Sequence, residues 1–267
     1  MPISDSPPIS AGWCQVAGGP VPLRCWWSPV APRQVGAPSR NENVTEVARN
    51  RAVIVLPEVF GVNGWVRSVA DRITAAGVPA LAMPLFARTA PELELGYGPD
   101  QLAEGRRHKD ATSSEQILAD LAAAIAWLQS TLEGNFQSDL EITVVGFCFG
   151  GHAALLAASL PQVSQAFDFY GAGVVQGRPG GGAPSLELLP QVQGQLTCLC
   201  GSADPLIPTE DRAAIASALL AADPSGQRLR YREFAGADHG FMCEARDSFN
   251  PAAAEQGWQL LLEALRA

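Results

Sequence analysis

The segment Gly146-Phe147-Cys148-Phe149-Gly150-Gly151 constrains the fold of this chain more than any other. It follows Glu141-Ile142-Thr143-Val144-Val145, a β-branched run of strand type, and leads into His152-Ala153-Ala154-Leu155-Leu156-Ala157-Ala158, which reads as helix. A strand passing into a helix across a glycine-flanked polar residue describes a nucleophile elbow. The turn is so tight that its central residue is strained, and glycine is needed two positions before and after it. The central side chain then stands exposed at the strand's C-terminal end, with a helix N-terminus beneath the oxyanion that forms on attack. Serine is the usual occupant; here it is Cys148, which points to acyl transfer by a thiolate. The plainer alternative is a buried cysteine at a strand–helix turn, since free cysteine is among the most buried residue types.

The rest of the chain keeps a strand–helix rhythm. Arg51-Ala52-Val53-Ile54-Val55-Leu56-Pro57 is a continuous apolar strand of the kind parallel sheets require, with a helical segment from about Val66 to Ala76 and a short strand near Val78 to Leu81. Residues 87–113 read as a polar loop or small helices that could form a lid. Ile117, Leu118, Leu121, Ile125 and Leu128 recur at helical spacing, predicting a helix from about Ser114 to Leu132. Further strands are expected at Phe167–Gly171, Leu196–Cys200 and Leu229–Phe234. Helices are expected from Thr209, as N-cap, to Ala222, and from Pro251 to Leu265. Gly177–Pro184 is glycine-rich but lacks the helix start and Lys-Ser/Thr of a phosphate loop, so it reads as a flexible turn. Prolines at 20, 22, 29, 32 and 38 break the start of the chain into edge strands or a hairpin, followed by a polar connector through Arg40-Asn41-Glu42-Asn43. Together these elements predict one α/β domain over residues 1–267, a mostly parallel sheet with helices on both faces.

Bulk properties narrow the function. A net charge of −9 argues against nucleic acid or an anionic membrane as partner, and no apolar run reaches the length of a membrane span. The six cysteines form no C-x-x-C pair, so a metal site is unsupported and no cofactor is implied. Cys198 and Cys200 share one strand face and cannot easily bridge. The N-terminus lacks the basic and apolar regions of a signal peptide. A reduced, cytoplasmic protein is the simplest expectation, with the oligomeric state unreadable.

A nucleophilic thiol needs a base, and the base an orienting acid. Of three histidines, His108 sits in the charged run Arg106-Arg107-His108-Lys109, and His152 lies one turn into the elbow helix, where packing or a hydrogen bond is expected. His239 follows the last predicted strand in Gly236-Ala237-Asp238-His239-Gly240-Phe241 and is the plausible base. Asp238 is adjacent, but neighbouring side chains in extended backbone point apart. Asp204, in the turn after Leu196–Cys200, is better placed, and the order Cys148, Asp204, His239 is that of α/β-hydrolases. Glu58 in Leu56-Pro57-Glu58-Val59-Phe60-Gly61-Val62-Asn63 puts a carboxylate just after the first apolar strand, where the oxyanion loop of that fold sits.

These motifs as a set resemble the dienelactone hydrolase (carboxymethylenebutenolidase) family from about residue 45 to the C-terminus. The resemblance implies that Glu58 interacts with the resting cysteine and that substrate binding helps release a thiolate. It further implies oxyanion contacts from the backbone N–H groups of Phe149 and Val59. Family members that take the dienelactone anion hold its carboxylate with arginines, and Pro84-Leu85-Phe86-Ala87-Arg88 makes Arg88 the candidate clamp, set against a plain surface arginine. A second family arginine lies a few residues after the catalytic histidine, and in Gly240-Phe241-Met242-Cys243-Glu244-Ala245-Arg246 the match slips. The expected activity is cysteine-dependent hydrolysis of lactones or small activated esters. The alternatives are a broader carboxylesterase or thioesterase on the same scaffold, and a catalytically silent α/β-hydrolase that binds a partner.

Overall fold

The computed structural model describes residues 10–30, 50–133 and 140–267. The predicted connector at residues 40–43 lies outside the described residues. Eight strands form one sheet in the order β1-β2-β4-β3-β5-β6-β7-β8. These are β1 Gly12–Val16, β2 Leu23–Ser28, β3 Arg51–Leu56, β4 Ala80–Ala82, β5 Glu141–Phe147, β6 Val163–Phe169, β7 Gln195–Gly201 and β8 Leu229–Phe234. The hairpin β1–β2 and the pair β2–β4 are antiparallel, as expected of edge strands, and every pair from β4 to β8 is parallel.

The described residues form six α-helices: α1 Gly64–Ala75, α2 Pro99–Asp110, α3 Ser114–Leu132, α4 Phe149–Ala157, α5 Thr209–Ala222 and α6 Pro251–Arg266. Five successive residues of β3, Ala52 to Leu56, are all buried. Successive side chains point to opposite faces, so both faces of the sheet are covered there. The helix α1 starts where the Asn63 side chain accepts from the Val66 N–H at 3.2 Å, a cap worth about 1 kcal/mol. In α3 the Ser113 hydroxyl accepts from Gln116 N–H while the Gln116 side chain accepts from Ser113 N–H, a complete capping box.

Three sequence expectations shift. Residues 99–110 form the full helix α2, because Pro99 presets the first-turn backbone after Gly98. Pro208, not Thr209, is the N-cap of α5, and the Thr209 hydroxyl instead accepts from Arg212 at 3.1 Å. Loop 177–184 is tied down, its Pro179 carbonyl accepting from the Ser114 N–H at 2.8 Å.

Register decides where the chemistry can sit. Leu56 pairs Gly146, Phe147 pairs Phe169, and Gly201 pairs Phe234, so the strands end along one edge of the sheet. Glu58, Cys148, Tyr170, Asp204 and His239 all follow those ends within a few residues. That edge is where open α/β sheets hold ligands.

Candidate active site

The elbow is formed as sterics demand. Cys148 has φ 55° and ψ −117°, a conformation L residues rarely adopt. A Cβ on Gly146 would lie 1.7 Å from the Gly150 carbonyl oxygen, and one on Gly150 would lie 2.3 Å from that of Leu56. No side chain fits either position. Hydrogen bonds hold the turn, from Cys148 N–H to Phe169 O at 3.0 Å and from His152 N–H to Cys148 O at 3.1 Å. Cys148 is half-buried and borders a cavity of about 500 Å³ that His239 also lines.

His239 Nδ1 and Asp204 Oδ2 are 2.8 Å apart, both residues buried. The other Asp204 oxygen, Oδ1, accepts from the Leu206 N–H at 2.8 Å, which fixes the carboxylate's orientation. Burial disfavours charge on His239, but the charge of Cys148 and the Asp204 hydrogen bond outweigh it and raise its pKa from 6.5 to about 10. Its Nε2 is buried and has no well-formed hydrogen bond among the described residues, but the Cys148 sulfur is close enough to act on the ring and favour its charged form. Asp238 is exposed and accepts from the His239 backbone N–H at 2.5 Å, so it belongs to the turn and does not orient the ring.

Val59 and Phe149 both line the cavity. Phe149 opens α4, so its N–H belongs to the first turn, which has no intrahelical acceptor. Glu58 is 1% exposed, and its Oε1 accepts from Arg246 Nη1 at 2.7 Å, while Oε2 has no partner among the described residues. Burial pushes its pKa up, opposed by the charges of Arg246 and His239. Glu58 is thus hydrogen-bonded to Arg246, not to the cysteine as the resemblance implied. Gly240, at φ 85°, leaves room for that guanidinium, since a Cβ there would lie 2.4 Å from Arg246 Nη1.

Arg88 does not reach the cavity. Its guanidinium forms a bidentate pair with the buried Asp120 of α3 at 2.6 and 2.9 Å, so the expected substrate clamp is a structural ion pair. The arginines that line the cavity are Arg106 and Arg246, joined by Lys109. Arg106 and Lys109 stand on α2, which the sequence did not distinguish from loop. Its walls are otherwise largely apolar, including Phe60, Leu102 and Leu206.

His152 is buried with both ring nitrogens engaged, Nδ1 by Ala172 O at 3.0 Å and Nε2 by Ser185 Oγ at 2.7 Å. Burial lowers its pKa to about 4, so the ring is neutral. Tyr170 was not anticipated. It is fully buried at φ 44°, its ring lies 5.2 Å edge-on to His239, and its hydroxyl has no partner among the described residues. Among the described residues no group of three His, Cys, Asp or Glu side chains could hold a metal ion.

The model of the family described as "Dienelactone hydrolase family" matches residues 41–267. A protein of Synechocystis sp. named "Putative carboxymethylenebutenolidase" is 40% identical over 213 residues, covering 80% of this chain and 84% of that one. A Bradyrhizobium sp. protein named "Probable 2-oxo-3-(5-oxofuran-2-ylidene)propanoate lactonase" is 30% identical over 219 residues, 80% of this chain and 83% of its own. The crystal structure named "Putative Dienelactone Hydrolase" from Klebsiella pneumoniae superimposes with TM-score 0.75 at 23% identity, covering 96% of this chain and 97% of that one, which speaks to the fold.

Proposed function

The chain belongs to the dienelactone hydrolase family, a family of hydrolases, and on that premise we propose that it cleaves lactones or small activated esters through Cys148, His239 and Asp204. One observation carries the reading. A strained elbow cysteine and a histidine oriented by a buried aspartate border the same cavity. The Bradyrhizobium relative's name supports a lactone as substrate class.

The chemistry follows from the charges. His239, with a pKa raised to about 10, stays protonated at neutral pH and partners a Cys148 thiolate. The sulfur attacks the carbonyl carbon, forming a C–S bond and placing negative charge on the oxygen between the Val59 and Phe149 N–H groups. Collapse breaks the C–O bond, and His239 Nε2–H gives its proton to the departing alkoxide or enolate. Neutral His239 then takes a proton from water, whose oxygen attacks the thioester. The carboxylic acid leaves, and the thiolate–imidazolium pair is restored.

Glu58 and Arg246 form a gate beside this centre. An anionic substrate that draws Arg246 away leaves Glu58 a buried, unpaired carboxylate, which responds by taking up a proton. Substrate binding is thereby coupled to the charge next to the thiol. Six free cysteines suit a reducing compartment, so we place the protein in the cytoplasm.

A broader carboxylesterase activity is the second reading, favoured by the loss of Arg88 to Asp120 and by the apolar walls. Side-by-side rates on lactones, aryl esters and thioesters separate the two. Cys148→Ala should abolish all of them with the fold intact, and His239→Asn and Asp204→Asn should each cost orders of magnitude. Full activity in Cys148→Ala would remove the thiol from the reaction. Fast thiol labelling of Cys148 that disappears in His239→Asn distinguishes a working site from a silent one.

A further inference from the structure

A second cleft of about 470 Å³ opens beside the reactive cavity, and the two share Lys109, Phe149, Ala172 and Gly173. Its lining is more polar than that of its neighbour, with Lys109, Asp110, His152, Gln176 and Arg178 among the residues that form it. Arg178 contributes a guanidinium whose Nε is buried and has no hydrogen-bond partner among the described residues. Loop 177–181 forms one wall and is held in place: Pro179 O accepts from Ser114 N–H at 2.8 Å and Gly173 O from Gly177 N–H at 3.2 Å. A fixed wall presenting a cation is a recess, not a floppy turn.

The cations are ordered along the two cavities. Arg106 lines the reactive cavity, Lys109 lines both, and Arg178 lines the second. Arg106 and Lys109 are three residues apart on α2 and therefore share a helix face. Four carboxylates bear on these cations: Asp110, which lines the cleft and pairs with Lys109 at 2.5 Å; Glu115, whose charge acts on Arg178; Asp238, which lines the reactive cavity; and Asp211, which accepts from the cleft's Gln176 at 2.5 Å. The Lys109–Asp110 pair is solvent-exposed and worth little, so an incoming anion can displace it. The Arg178 Nε is sealed from solvent, so what an incoming oxyanion meets is the outer edge of a guanidinium that lines the cleft, where its terminal N–H groups can donate.

We propose that the second cleft binds an anionic tail of the substrate, a carboxylate or phosphate carried several bonds from the scissile carbonyl, with Arg178 as its main partner. This rests on the hydrolase reading and specifies the substrates it favours: bipartite esters, with the reactive carbonyl over Cys148 and a charged end at Arg178.

The test uses p-nitrophenyl esters of straight-chain acids in three series, ending in carboxylate, phosphate or a neutral amide. The wild-type enzyme should prefer a charged tail of one optimal length over the amide of equal length by at least about tenfold in kcat/KM, falling as salt screens the contact. Arg178→Met should remove that preference while neutral esters stay within about twofold, and Arg178→Lys should restore part of it. Whichever of carboxylate and phosphate shows the larger preference identifies the tail. No charged-tail preference in the wild type, or equal losses on charged and neutral esters in Arg178→Met, would overturn the proposal. Failure of the triad reading is separate, because it would appear as neutral-ester activity surviving in Cys148→Ala.

Discussion

At Cys148 the choice of sulfur over oxygen decides how its neighbours must work. In the proposed mechanism a thiolate and imidazolium form before substrate is attacked, whereas a hydroxyl would need a base throughout the attack. Cys148→Ser should therefore lose at least about a hundredfold in kcat/KM despite keeping the elbow geometry, and serine activity equal to cysteine's would contradict the ion-pair account. The same pairing predicts that Cys148→Ala, by deleting the charge that most raises the His239 pKa from 6.5 to about 10, lowers it clearly. Nuclear magnetic resonance titration of the His239 ring in both proteins reads this, and an unchanged value would mean that Asp204 alone holds the proton. Glu58 and Arg246 are coupled through a buried 2.7 Å contact. Arg246→Met should destabilise by about 3–5 kcal/mol by stranding Glu58, and adding Glu58→Gln should recover much of that, a non-additivity that chemical denaturation measures. Cys148, Asp204 and His239 were legible because each ends a strand whose apolar run announces itself. Arg246 was not, because its reach to Glu58 depends on the path of a loop and on the space left by Gly240. Arg88 misled because its partner Asp120 is 32 residues away on another helix, which no local pattern records.

Among the elements, α4 ties catalysis to stability. Its first residue, Phe149, carries the N–H proposed for the oxyanion, and its His152 anchors it to Ala172 and Ser185. The folded pKa of His152 is depressed to about 4 from the ordinary 6.5, so the native state resists a proton that the unfolded chain accepts. The stability this group contributes is present above pH 6.5 and falls as pH drops towards 4, by about 3 kcal/mol. Urea midpoints taken from pH 7 to pH 4 should fall more steeply in the wild type than in His152→Gln, and parallel curves would remove His152 from the acid sensitivity. Helices with a regular apolar stripe were readable from spacing, α3 at both ends and α1 to within two residues. The helix α2 was not, because only Gly105 is buried in it and charge dominates its twelve residues, leaving no periodicity to read. Yet α2 carries Arg106 and Lys109, the cations that distinguish this cavity.

For the whole molecule, the parallel arrangement from β4 to β8 is what converts scattered motifs into one site. Strand ends held in register place residues almost two hundred positions apart, Glu58 and Arg246, within hydrogen-bonding distance. The alternation of apolar strands and helices revealed that architecture, while the strand order and the covering of each edge depend on tertiary pairing and emerge only in the fold. Arg88→Met should accordingly lower stability by several kcal/mol through the unpaired Asp120, with the ratio of charged to neutral ester hydrolysis unchanged. A specific loss on charged esters would return Arg88 to the site. The central claim, a covalent thioester on Cys148, is open to direct observation. Rapid acid quench of the enzyme with an activated ester, followed by mass spectrometry of its peptides, should find the acyl mass on the peptide containing Cys148. Turnover with the acyl group found on another residue, or undiminished turnover in Cys148→Ala, would contradict the account.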